Sequence, residues 1–370
     1  MKKICFVKWI LDGADGALNV ATKVAKELSD EYEFHLISIL TNDRSVFFDN
    51  GEFIYKNLIE GKPKGTKILL PAIFRLRRYF LENKIDIALS LGVSANAVVI
   101  GATRFSKTKA VMCEHLNSKI IDTPEINYEA LGFSKFIEIQ REWGAKLADH
   151  TIVLTNEDRK SYIDKYGLNE RKVTTIYNWI DTQIISDYNK KSKSIVTVGR
   201  MNVQKGYNYL FEIARVILSN HKDWKWFIYG SGNDEIICDL NQKIQEYGLE
   251  NQLILAGLEK NLTNIYADKS FYVMTSLFEG LPLVLLEAKQ FALPEIAFKC
   301  PTGPGEIIKQ DLNGFLIDNY DVDSMVDHIE LLISDEQMRQ SFAEHALDGT
   351  EKFEKAKIIK QWRDLFESLI

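Results

Sequence analysis

Cysteine is scarce in this chain. Cys5, Cys113, Cys238 and Cys300 are the only four among 370 residues, and they are scattered. No CxxC and no Cys/His spacing suits zinc, so the four read as reduced core residues of a cytosolic protein rather than as metal ligands. Long apolar runs are also missing. No stretch approaches the roughly 20 apolar residues of a membrane-spanning helix. The start, MKKICFVKWI, has only a short apolar run after its lysines and reads as a first buried strand rather than a signal peptide. Low-complexity segments and internal repeats are absent. So is an excess of positive charge: the net charge is -6, with 26 Lys/Arg against 24 Asp/Glu in residues 1–185 and 20 against 28 in residues 186–370. The acidic second half argues against nonspecific nucleic-acid binding, and the mildly basic first half suits an anionic surface.

What is present is a globular composition, 46% hydrophobic and 26% charged. The length fits two domains, and two domains imply a cleft. In the first half, ICFVKW, FHLISIL, IDIALSLG, KAVMCEH and TIVLT read as strands separated by amphipathic stretches, the pattern of βαβ units and a parallel sheet. Residues 178–194 are polar and lysine-rich and read as an interdomain linker. The α/β pattern then restarts with strands SIVTVGR, WKWFIYGSG, NQLILAG, SFYVMTS and PEIAF. The fold class is therefore α/β, with Rossmann-like domains over residues 1–180 and 181–352. A last helix at 353–370 carries Ile358, Ile359, Trp362, Leu365, Phe366 and Leu369 on one face, apt to pack back onto the first domain.

Two segments of the second half carry chemistry. In Phe278-Glu279-Gly280-Leu281-Pro282-Leu283-Val284-Leu285-Leu286-Glu287, a strand runs through a loop into a helix. Free N–H groups and the positive dipole end at a helix start favour an anion, which makes the backbone of Gly280, Leu281, Leu283 and Val284 a candidate diphosphate cradle. Glu287, on the first turns, can accept hydrogen bonds from two ribose hydroxyls, and Glu279 in the preceding loop would face a sugar. Gly199-Arg200-Met201-Asn202-Val203-Gln204-Lys205-Gly206 follows another strand, where open α/β sheets bind ligands. Arg200 and Lys205 together suit a leaving diphosphate. Taken separately, each segment also reads as surface charge beside a turn.

Together, GRxxxxKG and the Glu279-x7-Glu287 pair resemble the donor site of the retaining glycosyltransferase family 4, of the GT-B fold. Cys300-Pro-Thr-Gly-Pro-Gly-Glu-Ile-Ile308 with Asn313-Gly-Phe-Leu-Ile317 is similar to the family's next glycine-loop segment, and the closing WRDLFESLI is similar to its last helix. By the same resemblance, Asp12-Gly13-Ala14-Asp15-Gly16 stands where relatives carry a glycine loop beside acceptor and phosphates, with Gly13 a candidate ligand contact. His115 matches a histidine placed against the transferred sugar, and Asn178 matches a hinge position where Trp179 replaces the usual glycine.

The resemblance implies transfer of a hexosyl group from a nucleoside diphosphate sugar, with UDP the first choice, to a hydroxyl of a glycan or lipid-linked acceptor, as in bacterial-type surface polysaccharide or glycoconjugate synthesis. The anomeric configuration would be retained, and His115, Glu279, Arg200 and Lys205 would carry the catalysis. No metal or cofactor is called for, and we read no stretch as the DxD element of metal-dependent relatives. No residue is assigned as a carboxylate nucleophile. The alternatives are a noncatalytic GT-B subunit binding a glycan or a catalytic partner, and a sugar-nucleotide epimerase. Gly230-Ser231-Gly232 reads as a turn. The arginine-rich helix at 73–80 reads as a solvated face, with contact to anionic lipid at the inner face of the cell membrane as the alternative.

Overall fold

The computed structural model describes residues 1–11, 16–40, 53–60, 68–115, 135–180 and 183–370. The chain divides into two compact units, Met1–Asn178 with Lys355–Ile370, and Trp179–Glu354. Among the described residues no helix is long and apolar enough to cross a membrane.

Unit 1 runs β1 (Lys2–Ile10), α1 (Gly16–Leu28), β2 (Tyr32–Leu40), β3 (Ile54–Ile59), α2 (Leu69–Asn83), β4 (Ile87–Leu91), α3 (Val93–Thr103), β5 (Lys109–Cys113), α4 (Lys135–Leu147), β6 (His150–Val153), α5 (Asn156–Tyr166) and β7 (Val173–Thr175). The strands form one parallel sheet in the order β3-β2-β1-β4-β5-β6-β7. Right-handed crossovers put α2 to α5 on one face and α1 on the other. Alternate residues of β1 and β2, Cys5 and Val7 with Ile37 and Ile39, are buried in one core with Ala72, Leu76 and Phe80 of α2 and Val98 and Val99 of α3. Each such apolar side chain contributes about 1.5–3 kcal/mol on leaving water. The strands β3 and β7 are edges absent from the pattern read above: β3 is half exposed and β7 has three residues. Neither supplies a run of buried residues.

Unit 2 repeats the plan with β8 (Ser194–Val198), α6 (Tyr207–Asn220), β9 (Lys225–Tyr229), α7 (Asp234–Glu246), β10 (Leu253–Gly257), α8 (Leu262–Tyr266), β11 (Phe271–Met274), α9 (Leu283–Lys289), β12 (Glu295–Phe298), α10 (Pro304–Ile307), β13 (Gly314–Ile317), α11 (Val322–Ser334) and α12 (Glu336–Glu344). Its parallel order is β10-β9-β8-β11-β12-β13, so the winding reverses between β8 and β11. That reversal opens a crevice at the carboxyl ends of those two strands.

Two expectations need correction. Residues 183–194 are not a free linker, because they pack within unit 2. Ile185 N–H donates to the Gln290 carbonyl (2.7 Å), Tyr188 Oη donates to the Ser270 carbonyl (2.7 Å), and Arg339 Nη2 donates to the Lys190 carbonyl (3.0 Å). Both backbone groups and polar side chains, Tyr188 among them, make this docking. Cys238 is exposed on α7, while the other three cysteines are buried.

The last helix, α13 (Lys355–Leu369), belongs to unit 1. Ile358, Trp362, Leu365 and Phe366 are buried, and the Phe366 ring packs edge-on against Tyr32 at 5.3 Å. Arg363 forks onto Glu31 through Nε and Nη2 (2.7 and 2.6 Å), and Lys355 reaches Glu27 (2.6 Å).

Candidate active site

In unit 2, β8 ends at Val198 and the chain turns through Gly199 and Arg200 into a single 3-10 turn, Val203–Lys205. Asn202 caps that turn, its side chain accepting from Lys205 N–H at 3.2 Å. Gly206, with φ of 64°, then redirects the chain into α6. The cap and the left-handed step aim Lys205 back across the strand end. Its Nζ lies 2.6 Å from Glu279 Oε1, and both side chains are largely buried.

The loop after β11 is fastened to this turn by four further hydrogen bonds. Leu277 N–H donates to the Gln204 carbonyl (2.8 Å) and Thr275 Oγ1 to the Lys205 carbonyl (3.0 Å). Gln204 Nε2 donates to the Phe278 carbonyl (3.0 Å) and, more distantly, to Glu279 Oε2 (3.4 Å). Two sequence segments about 75 residues apart thus form one rigid corner at the point where the winding reverses.

The other wall is the turn at 300–303. Thr302 Oγ1 donates to the Glu279 carbonyl (2.7 Å), and Gly303, with φ of +98°, presses its Cα so close to the Gly280 carbonyl that a Cβ would lie 2.3 Å from that oxygen. Only glycine fits there. Beyond Pro282, α9 begins without a side-chain cap, so no side chain satisfies the first N–H groups, among them those of the half-buried Leu283 and Val284. Leu281 is buried.

Glu287 stands on the second turn of α9 and accepts from Tyr266 Oη at 2.9 Å. Burial, then the neighbouring Glu287 charge, hold the Tyr266 phenol well above its ordinary range, so it stays a donor. Sequence reasoning missed Tyr266, Gln204 and Thr302. The latter two lie inside the quoted segments, but Tyr266 closes α8 and carries no local signal. Arg200 is exposed at the end of the same strand. The corner therefore joins Lys205, Glu279 and the start of α9 directly, with Glu287 one turn along.

The turn read at Gly230 is present: its φ is 146°, and a Cβ there would meet the Gly199 carbonyl at 1.9 Å. One Asp-x-Asp triplet does occur, Asp321-Val322-Asp323, and it is a helix cap, Asp321 accepting from Ser324 N–H at 2.9 Å. Among the described residues no group of three or more His, Cys, Asp and Glu is placed to hold a metal ion.

In unit 1, β5 stops at Cys113, so Glu114 and His115 follow the strand rather than end it. His115 is half-buried, its Nε2 lying 3.3 Å from Cys113 Sγ. Burial, helped by the Lys8 charge, pushes its pKa down to about 4, leaving a neutral ring at physiological pH. Glu114 is buried and its Oε1 accepts from Asn96 Nδ2 (2.9 Å), whose Oδ1 accepts from Ser90 Oγ (2.5 Å). Arg141 of α4 sits 3.5 Å from Glu114 Oε2 and donates to Glu138 (3.1 Å). Gly13 lies outside the described residues, and Asn178 is buried at the last residue of unit 1 before Trp179 opens unit 2.

Named glycosyltransferases match the chain over most of its length. The chain is 28% identical over 369 residues to the amylovoran biosynthesis glycosyltransferase AmsD of Erwinia amylovora, covering 96% of this chain and 98% of that one. It is 25% identical over 359 residues to a Campylobacter jejuni N-acetylgalactosaminyltransferase acting on a diphospho-undecaprenol-linked sugar, covering 94% and 95%. Among solved structures, Anabaena HepE with UDP and glucose superposes with a TM-score of 0.81 at 18% identity, over the full length of both chains. The lipopolysaccharide outer core galactosyltransferase WaaB does so at 0.78 and 20%, again over both full lengths. The profile of Glycosyltransferase Family 4 matches residues 14–184 and that of Glycosyl transferases group 1 matches residues 181–348. Two Rossmann-like units matched in succession by these profiles make the GT-B fold, and the chain belongs to the group 1 glycosyl transferases of glycosyltransferase family 4.

Proposed function

We propose that the enzyme moves a hexosyl group from a nucleoside diphosphate sugar, a UDP-sugar first, to a hydroxyl of a glycan or lipid-linked acceptor, with retention of anomeric configuration, in bacterial-type surface polysaccharide or glycoconjugate synthesis. The observation that carries this reading is the corner in which Lys205 and Glu279 meet beside the uncapped start of α9. The transition state separates an oxocarbenium-like sugar from a diphosphate, so the leaving group needs positive charge more than the acceptor needs a strong base. Lys205 and Arg200 supply that charge, and the first N–H groups of α9 add their dipole. Glu287, oriented by Tyr266, accepts from the ribose hydroxyls. Glu279 holds Lys205 and faces the sugar. The departing phosphate helps to take the acceptor proton. AmsD and the Campylobacter enzyme are named for polysaccharide and lipid-linked glycan synthesis, and HepE binds UDP, which favours this donor and acceptor class.

A screen of nucleotide sugars tests the reading. The protein is incubated with each donor, with and without undecaprenyl diphosphate-linked and free oligosaccharide acceptors, and free nucleoside diphosphate is measured. One donor class should release diphosphate when acceptor is added, and the product's anomeric proton coupling should match the donor's. Inversion of that coupling would refute retention. Tight donor binding without turnover on any acceptor would replace catalysis by a binding role.

A further inference from the structure

We propose that Cys113 is a positioning residue for His115: its thiol donates a hydrogen bond to Nε2, so the neutral ring carries its proton on Nδ1 and offers that N–H to a sugar oxygen in the crevice of unit 1. The inference deepens the transfer reading and rests on it for the identity of the ligand.

The sheet sets the place of the ring. The strand order β3-β2-β1-β4-β5-β6-β7 reverses its winding between β1 and β4, which opens a crevice at the carboxyl ends of those strands. His115 stands two residues beyond the end of β5, the neighbour of β4. Lys8 of β1 is near enough for its charge to act on the ring. The two side chains thus come from opposite sides of the reversal.

The segment that carries the ring is held by backbone and side chain alike. Gly92 N–H donates to the Cys113 carbonyl (3.0 Å), and Glu114 N–H donates to the Ile152 carbonyl (2.9 Å). The buried Glu114 carboxylate accepts from Asn96 Nδ2 at 2.9 Å, and Arg141 Nε lies 3.5 Å from its other oxygen. A buried ion pair gains little over apolar residues of the same volume. What it does supply at this point is a fixed base for the next residue, His115.

The chemistry of the Cys113–His115 pair sets the tautomer. Cys113 Sγ lies 3.3 Å from His115 Nε2, which among the described residues is the hydrogen-bond partner of that thiol. Burial, then the neighbouring Glu114 charge, hold the Cys113 thiol well above its ordinary range, so the sulfur keeps its hydrogen. Sulfur is a weak acceptor, whereas an imidazole nitrogen without a proton is a good one, so the S–H donates. A neutral imidazole has one N–H, and the bond made by one nitrogen decides that the other carries it. Burial keeps the ring neutral down to about pH 4, which makes it a poor base at neutral pH and a fixed donor. A fixed donor suits a reaction in which the departing phosphate takes the acceptor proton and the sugar has only to be held.

Nitrogen-15 NMR of the full-length protein with ring-labelled histidine reads the tautomer without any substrate, His115 being assigned by its absence from His115→Gln. We expect a protonated Nδ1 and a bare Nε2 in the wild type and in Cys113→Ser, whose hydroxyl donates in place of the thiol. Cys113→Ala should shift the ring toward the Nε2–H form. With donor and acceptor present, Cys113→Ala should lower kcat on the order of tenfold, and Cys113→Ser should restore most of it. A wild-type ring protonated on Nε2 overturns the proposal, as does a Cys113→Ala ring that keeps its proton on Nδ1. An altered ring with wild-type kcat overturns the positioning role and leaves the transfer reading standing. A wild type with the Nδ1–H ring but no transfer from any donor refutes the transfer reading, and with it the sugar as the ring's ligand.

Discussion

Both units place charged residues at the carboxyl ends of a parallel sheet, yet they treat them differently. In unit 1 the polar cluster is sealed: Glu114 and Arg141 are each about 1% exposed, Ser90 donates to Asn96 and Asn96 to Glu114, and Arg141 donates to Glu138. In unit 2 the Lys205–Glu279 pair keeps a residual exposure of 16% and 9% and lies beside an uncapped helix start. A second pair, Lys289–Glu295, is fully buried in the same unit, with Glu295 at the amino end of β12. Sealed charge is out of reach of a ligand, whereas charge left at the surface of a crevice can be shared with one. The comparison therefore divides the charged pairs of this protein by exposure rather than by residue type.

The largest expected effect comes from breaking a sealed pair. Removing one partner leaves an uncompensated buried charge, which costs about 3–5 kcal/mol. Arg141→Met in unit 1 and Lys289→Met in unit 2 should each lower urea stability by that amount. The double variant Lys289→Met/Glu295→Leu should recover most of it, because two apolar residues of similar volume satisfy the site without the charge. No recovery would show that the Lys289–Glu295 pair does more than fill space.

Next in size is the Lys205–Glu279 pair, less deeply buried than the sealed ones. Lys205→Met should leave the unfolding curve nearly unchanged and lower kcat by roughly 10²–10³-fold, the range for losing one preorganised charge or donor at a transition state, about 3–4 kcal/mol. The comparison breaks if Lys205→Met unfolds the protein or leaves kcat intact.

Which of these pairs sequence could reveal follows the same division. Lys205, Glu279 and Glu287 could be singled out in the sequence because each sits in a short local segment, GRxxxxKG or E-x7-E. The strands β1, β2, β4, β5, β8 and β11 were legible because buried central strands are continuous apolar runs. The sealed network was not: Asn96 sits within α3, its partners Ser90 and Glu114 come from β4 and from the segment after β5, and Arg141 of α4 faces Glu114. Tyr266 was invisible for the same reason, since its contact with Glu287 spans 21 residues and arises only when α8 packs on α9. The docking of 183–194 on unit 2 uses scattered polar side chains, among them Tyr188 and Ser192, together with backbone groups, and shows no periodic pattern.

Histidine sharpens the contrast between the units. His35, His115 and His150 all lie in unit 1, and burial lowers the pKa of each, to about 4 for His115 and His150. In unit 2, by contrast, His221 pairs with Glu330 at 2.6 Å near the surface. A histidine whose folded pKa is lowered binds its proton more readily when unfolded. Its contribution to stability is thus complete above about pH 6.5 and is lost as pH falls toward 4. Unit 1 should lose on the order of 1–3 kcal/mol for each of His115 and His150 over that window. His150→Gln, which keeps a polar group near Thr174, should flatten the pH dependence of unfolding. An unchanged slope in that variant would place the acid sensitivity elsewhere.

The smallest effect is expected where α13 meets unit 1 at the surface. The Arg363 fork onto Glu31 has short contacts, 2.7 and 2.6 Å, yet water reaches both side chains and salt screens them. The Arg363 charge, chiefly by its hydrogen bond, holds the Glu31 carboxyl below its ordinary range. Whatever stability the pair adds is therefore present at neutral pH and fades as Glu31 takes up a proton. The helix itself is held by Ile358, Trp362 and Phe366, which are buried against unit 1. Arg363→Gln should leave the unfolding midpoint within experimental error at physiological ionic strength and lower it detectably only at low salt. A clear fall in the midpoint at physiological salt would show that an exposed pair can anchor an element, against the division by exposure drawn between the two units.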